Sequence, residues 1–492
     1  MSYKNILLIG LGPHAKRIYI KSLRALEQAP VLIVELDSKK QDIEAYLAEQ
    51  KISAKTYFIP TEERDRESLS PKVRADLDRL LQEHRITHAI LSTEPKAHYA
   101  YLQYLITRKI PILADKPITA PTHVCNQEQN ALLIRKQYQH LIQLQEQYGT
   151  LVTVLCQRRY DQRYQWIQSI ISDLMKQYEI PIHHMQVYHS DGALYTPDEM
   201  LERENHPYKY GYGKLFHSGY HFLDLLPMLL SFETLPIDKR PTSFQLFSAN
   251  YSPMDQLLSM DETFYGKIFH DKSYREPFNA LHAGRFRAMG ELDFTANLQF
   301  IRDQRIITTC SLDLLSAGFS RRSWSKQAAD TYKNNGRVRH ESICLTMGPL
   351  LTIQVHSYQS CEVKDRDNPY YNHDAVGGLD HYQIYIFRNI GIIGGKPCEV
   401  IEGKDLFSTA TRERSSFIGY NEAARDECLE DFLKGAHPKS SLADQKLTIE
   451  ILTAAYRTIA KKRNGQIPFV ECEIEPFLTA SQFQELTQVK RR

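Results

Sequence analysis

An apolar run, Asn5–Ile9, ends on Gly10, and Gly10-x-Gly12-x-x-Ala15 then opens a helical pattern that continues to about Leu26. An uninterrupted apolar run of this length suits a strand covered on both faces, as in parallel sheets. Gly10 permits the tight turn, Gly12 lets another backbone or a ligand approach closely, and Ala15 keeps helix and strand near each other. Unpaired N–H groups and the dipole at the helix start favour phosphate. Gly10, Gly12, Pro13, His14 and Ala15 are therefore the expected cradle for the pyrophosphate of a dinucleotide. Val31–Leu36 forms a second buried strand closed by Asp37, whose carboxylate is expected on the ribose hydroxyls. A carboxylate there repels a 2′-phosphate, which favours NAD. Strand register leaves Glu35 as the alternative, and Lys39 and Lys40 leave NADP possible.

Two further apolar runs, Thr87–Ser92 and Ile110–Ala114, flank a helical stretch at about Ala97–Arg108. Strands alternating with helices predict a doubly wound parallel sheet, an α/β Rossmann domain over residues 1–120. A polar amphipathic helix at about Ala131–Tyr148 reads as a connector, within a segment 121–150. Beyond it the runs Leu151–Leu155, Met185–His189, Ser243–Phe247, Asp293–Phe300, Ile306–Leu312 and Leu351–Val355 alternate without intervening helices. That pattern predicts an α+β domain on a large, mostly antiparallel sheet over 151–475. Segments near 191–212 and 250–288, rich in Tyr, Pro, His and Asp, read as long inserted loops. Amphipathic helices are expected at Asn421–Lys434 and Leu442–Lys462.

Composition removes several classes of partner. The 492 residues carry 61 basic and 59 acidic side chains, a balance that gives no electrostatic case for nucleic acid or an anionic membrane. The most apolar stretch, Phe222–Phe232, contains Asp224 and Pro227 and is too short to span a bilayer. The eight cysteines are scattered with no C-x-x-C pair, so neither a zinc site nor a disulfide framework is expected from them, and His217-x-x-x-His221, which could ligate a metal, has no evident third ligand. The first residues run straight into a strand, which reads as a cytoplasmic chain.

Two other stretches carry chemistry. Asp115-Lys116-Pro117 leaves the strand at Ala114, and the carboxyl ends of parallel strands are where open α/β sheets bind ligands. A lysine there can polarise a hydroxyl or carbonyl oxygen, or relay a proton. In Gly211–Asp224, His217, His221 and Asp224 share one face if the segment is helical. Histidine titrates near neutrality, so it can take a proton from an alcohol as hydride leaves the same carbon.

Taken in order, these pieces resemble the Gfo/Idh/MocA family of NAD(P)-dependent oxidoreductases. The likeness rests on Gly10-Leu-Gly12-Pro13-His14-Ala15, Ser92-Thr93-Glu94-Pro95 followed by His98, Asp115-Lys116-Pro117 and Gly213-x-Leu-x-His217-x-Gly219-x-His221-x-x-Asp224. Gln157-Arg-Arg-Tyr160 resembles the family's Arg-aromatic segment, and Arg425–Gly435 with Leu442–Ile459 resemble its closing helices. The resemblance implies hydride transfer at a hydroxyl or carbonyl carbon of a sugar, cyclitol or related polyol. It implies Lys116 and His221 as catalytic residues, with His217 beside them. It implies Thr93, Pro95, His98, Asp115 and Lys116 on the cofactor, and Arg159, His217 and Asp224 on the substrate. Tyr195, His206, Tyr208, Tyr210 and Tyr212 are candidate pocket residues. A homo-oligomer, dimer or tetramer, is expected. Asp115 replaces the family's usual glutamate, and His217 an aspartate that contacts substrate and tunes the histidine. An imidazole cannot stabilise an imidazolium as a carboxylate does, which keeps a non-catalytic dinucleotide sensor as the alternative.

Overall fold

The computed structural model describes residues 3–204, 206–268, 280–316, 320–321, 338–360, 376–378, 381–409, 411 and 419–474. The chain divides into two compact units. The first holds residues 1–122, 132–161 and 420–449, and the second holds 123–131, 162–419 and 450–492.

The first unit is built on six parallel strands: β1 (Ile6–Ile9), β2 (Pro30–Leu36), β3 (Lys55–Ile59), β4 (His88–Leu91), β5 (Ile112–Ala114) and β6 (Val152–Val154). Their order is 3-2-1-4-5-6, the Rossmann arrangement, which reverses direction between β1 and β4. Every residue of β1, β4 and β5 is buried, as an apolar run without alternation requires. The same holds for β6: Leu151–Leu155, expected among the antiparallel strands, pairs instead with β5. Its two valines and Thr153 are all buried although β6 is the last strand of the sheet, and this continuous burial, rather than alternation, places it with the parallel strands. The helix Tyr420–Lys434 supplies Ala424, Cys428, Leu429, Phe432 and Leu433 to the core containing Ile6, Leu8, Tyr19 and Ile33.

The second unit contains nine strands in one sheet: β7 (His184–Ser190), β9 (Ser243–Tyr251), β10 (Asp293–Arg302), β11 (Arg305–Leu315), β13 (Arg339–Met347), β14 (Leu351–Gln359), β15 (Gln383–Arg388), β16 (Cys398–Glu402) and β17 (Phe469–Glu473). Short strands β8 (Ala193–Leu194) and β12 (Ser320–Arg321) pair separately. The large sheet runs 16-15-14-13-7-11-10-9-17 and is antiparallel except where β7 meets β11. Alternation along its strands buries Phe244, Leu298, Phe300, Leu312, Ile343, Val355 and Ile386 on one face.

Both stretches read as loops carry regular structure. Within 191–212 lie β8 and the helix Pro197–Glu202, which opens with Pro197 and two acidic residues at its positive end. Within 250–288 lie the helices Pro253–Ser259, Glu262–Ile268 and Ala280–Ala288, while 269–279 fall outside the described residues. Ser252 and Asp255 cap the first of these reciprocally. Local capping thus wins over a composition that resembles a loop. No helix among the described residues is long and apolar enough to cross a membrane.

Candidate functional site

In the first unit the glycine turn sits where the sheet order reverses. Gly10 has φ +88° and donates its N–H to Val34 O at 2.9 Å. A Cβ there would lie 2.5 Å from Ser92 O, so β1 and β4 approach as closely as they do only because residue 10 is glycine. Gly12 differs: its φ is −74°, and a Cβ would meet nothing within 4 Å. The first helical bond runs from Lys16 N–H to Gly12 O at 3.0 Å, so the N–H groups of His14 and Ala15 have no acceptor within the helix. Pro13 fills the position where an N–H is dispensable. The expected single helix is divided at Ile18 into Pro13–Arg17 and Tyr19–Ala25.

The carboxylate brought to this turn is that of Glu35. Its Oε2 accepts the Leu11 N–H at 2.8 Å, and Oε1 accepts that of Leu36 at 2.9 Å. Register explains the choice, because Ile9 pairs with Val34 and the next residue of β2 therefore stands level with the turn. Asp37 lies beyond, exposed, and accepts from Thr61 Oγ1 at 2.6 Å. Lys40 is 3.9 Å from Glu44 and has its ammonium 5.8 Å from the Phe58 ring centroid.

At the ends of β4 and β5 the polar groups converge on Asp115. Its Oδ2 accepts from Ser92 Oγ at 2.6 Å and its Oδ1 from the Tyr19 hydroxyl at 2.5 Å. Burial, then the Asp115 charge, pushes the Tyr19 hydroxyl pKa well up, so it stays a donor. His14 Nε2 is 3.7 Å from Asp115 Oδ1, with the His14 side chain 37% exposed. Close packing of neighbouring atoms lowers the His14 pKa, Asp115 works against that, and Arg425, Arg17 and Lys116 add to it. Lys116, half-buried and joined to Pro117 by a cis peptide, is thus within electrostatic reach of the glycine turn. His98 is fully buried, with Nδ1 2.7 Å from Pro117 O and Nε2 3.2 Å from Thr93 O. Burial lowers its pKa, and in the neutral form its single N–H donates to one of these two carbonyls, so it packs between the two loops and bonds to one of them. Thr93 and Pro95 are half-buried beside it. Arg159 lies in the turn Gln157–Tyr160 and donates to Asp444 O at 3.2 Å.

In the second unit the helix begins at Tyr220, so His217 precedes it and only His221 and Asp224 lie on it. The expected three-residue face is not formed. His217 occupies a run of turns closed by its own N–H to Gly213 O at 3.0 Å. Around its ring stand His206 at 4.9 Å, Tyr208 at 5.2 Å and Tyr212 at 6.0 Å between centroids. Tyr195 reaches this group through Tyr208, and Tyr210 through Tyr212. His221 is half-buried and Asp224 fully buried. Residues that local patterns do not single out complete each cluster: Tyr19 on Asp115 in the first unit, and Asp191, Lys214, Ser218 and Glu291 around the His217 turn in the second. Among the described residues no three His, Cys, Asp or Glu side chains gather as metal ligands would.

No protein-family model matches the chain, and no curated protein does. Solved structures do match. An oxidoreductase from Agrobacterium radiobacter in complex with NAD+, L-tartaric acid and magnesium aligns over 95% of this chain and 98% of its own, with TM-score 0.53 and 13% identity. An aldose-aldose oxidoreductase from Caulobacter crescentus complexed with glycerol covers 96% and 100%, again with TM-score 0.53 and 13% identity. The WlbA dehydrogenase from Bordetella pertussis, in complex with NADH and UDP-GlcNAcA, covers 96% and 98%, with TM-score 0.54 and 13% identity. The chain has the fold of two-domain oxidoreductases, a parallel Rossmann sheet followed by a large, mostly antiparallel one. The resemblance to the Gfo/Idh/MocA oxidoreductases drawn from the motifs holds at the level of fold.

Proposed function

We propose that the protein is an NAD(P)-dependent oxidoreductase of the Gfo/Idh/MocA type, acting on a hydroxyl or carbonyl carbon of a sugar, cyclitol or related polyol. One observation carries this reading: the open space over Gly12, the Glu35 carboxylate and the Asp115-Lys116-Pro117 segment all lie at the carboxyl ends of strands around the reversal of a 3-2-1-4-5-6 sheet. These residues fit a dinucleotide. The N–H groups of His14 and Ala15 would hold its pyrophosphate, and Glu35, with Asp37 beyond it, its adenine ribose. Two carboxylates there oppose a 2′-phosphate, which favours NAD over NADP. A nicotinamide, when bound, supplies the place where hydride is accepted or released.

The chain's own residues do the rest. Lys116 holds the reacting oxygen and stabilises negative charge on it. His221 takes the hydroxyl proton as the C–H bond gives up its hydride, and returns it in the reverse direction. His217, within its ring of His206, Tyr208 and Tyr212, contacts substrate hydroxyls. Asp115 and His98 orient the Lys116 loop. The open face of the second sheet carries exposed Phe247, Phe387, Val400 and Phe469, which supports self-association as a dimer or tetramer. Lys116→Ala is expected to abolish hydride transfer, read at the nicotinamide absorbance across a panel of polyols and ketosugars, while NADH binding persists. Undiminished turnover in that variant overturns the assignment. The imidazole at 217 favours a second reading, a dinucleotide-binding sensor, which predicts tight NADH binding and no absorbance change with any member of the panel.

A further inference from the structure

The turn that carries His217 and leads to His221 is held by a carboxylate outside the motif. Asp191 follows β7 directly, is 3% exposed, and donates its N–H to Leu315 O at 3.1 Å. Its Oδ2 accepts from Lys214 Nζ at 2.6 Å and from Ser218 Oγ at 2.8 Å. Lys214 precedes His217 and Ser218 follows it, so one oxygen pins both sides of the turn. The other oxygen, Oδ1, lies 3.2 Å from His189 Nε2. The His189 ring stacks on Phe222, 3.9 Å between centroids and 12° from parallel, and Phe222 is the helix residue next to His221. Lys214 is 1% exposed and also donates to Leu315 O at 2.6 Å.

Glu291 holds the backbone of the same turn. Its carbonyl accepts the Lys214 N–H at 3.0 Å and its carboxyl Oε1 the Leu215 N–H at 2.8 Å. A Cβ on Gly213 would fall 1.9 Å from Glu291 O, so the turn is pressed against that strand entry. A buried ion pair is a poor source of stability compared with apolar packing, because both charges lose their hydration. Its geometry is nonetheless stringent, since breaking one contact leaves a buried charge unsatisfied. An arrangement of this kind fixes side chains better than it stabilises a fold.

We propose that Asp191 is the positioning residue for both histidines, acting through Lys214 and Ser218 on His217 and through His189 and Phe222 on His221. The functional meaning of this role rests on the reading of His221 as the proton acceptor, but the test requires no turnover. The probe is diethyl pyrocarbonate, with carbethoxylation rates of individual histidines followed by mass spectrometry on the full chain. Asp191→Ala combined with Lys214→Met removes both buried charges together. His217, 5% exposed in the native protein, is expected to react at least about tenfold faster in this variant, and His221 about fivefold faster. His381, buried elsewhere in the second unit, should stay within about twofold as the measure of opening of that unit. Ser218→Ala removes one hydrogen bond and no charge, and should speed His217 alone by about fivefold. Unchanged rates at His217 in Ser218→Ala overturn the proposal, whether or not the double variant folds. So does a rise at His381 in step with the other two. Failure of the enzymatic reading is read separately, in the Lys116→Ala hydride-transfer assay.

Discussion

Alanine at Gly12 and alanine at Gly10 should have opposite consequences, although the two residues belong to one turn. At Gly12 the backbone is in a region any residue adopts, and the added Cβ meets nothing within 4 Å. The folded state loses nothing, and the unfolded chain loses some freedom, so stability should rise by about 0.4–1 kcal/mol. The same methyl stands in the space a pyrophosphate must enter. Loss of that approach should weaken NADH binding by at least about tenfold, equivalent to about 1.4 kcal/mol. At Gly10, alanine must hold φ at +88° and place its Cβ 2.5 Å from Ser92 O, a backbone atom just past β4, which is held between β1 and β5. Backbone strain and the forced separation of β1 from β4 together should cost about 3 kcal/mol. For a unit of this size that lowers Tm by about 6–12 °C. Differential scanning calorimetry and an NADH fluorescence titration, run on both variants, check the pair. Native NADH affinity in Gly12→Ala, or a loss of stability there matching that of Gly10→Ala, refutes the assignment of one glycine to the fold and the other to the ligand.

Glu35→Gln keeps an acceptor for the Leu11 N–H but removes the charge, so the ratio of NADPH to NADH affinity should rise by about fivefold, measured by paired titrations. An unchanged ratio would hand the discrimination to Asp37. Tyr19→Phe removes one donor from Asp115 and should cost about 1–2 kcal/mol in urea unfolding of the apoprotein; no measurable cost would mean that Ser92 alone satisfies the carboxylate. His189 is fully buried, and burial lowers its pKa to about 4, with Lys214 adding to that and Asp191 opposing it. Its unfolded pKa is higher than its folded one, so the unfolded chain binds the proton first as pH falls. Stability from this group is therefore complete above about pH 6.5 and lost between there and about pH 4, by up to about 3 kcal/mol. Urea unfolding between pH 7 and 4.5 should show a steeper loss in the native protein than in His189→Phe, where His98 and the other histidines lowered by burial leave a smaller slope; equal slopes would refute the role of His189.

Much of the first unit was legible because its signals are local. An unbroken apolar run suits a strand covered on both faces, a glycine at its end permits a sharp turn, and both are visible within a dozen residues. Asp115-Lys116-Pro117 was visible for the same reason, whereas the helical face expected for His217, His221 and Asp224 was not formed, because the helix starts only at Tyr220. What tertiary structure alone decided depends on distances the chain does not encode locally. Whether Glu35 or Asp37 faces the glycine turn is a matter of register with β1, which a pattern along β2 leaves open. That Val152–Val154 closes the parallel sheet, and that the helix Tyr420–Lys434 packs on Tyr19 and Ile33, depends on which apolar surfaces the other elements leave uncovered. The Asp191 carboxylate, the Lys214 ammonium and the Ser218 hydroxyl carry no periodicity at all. Burial of the Asp191 and Lys214 charges is tolerable because Lys214 and Ser218 both donate to the Asp191 carboxylate and Lys214 also to Leu315 O, and that condition exists only in the folded chain.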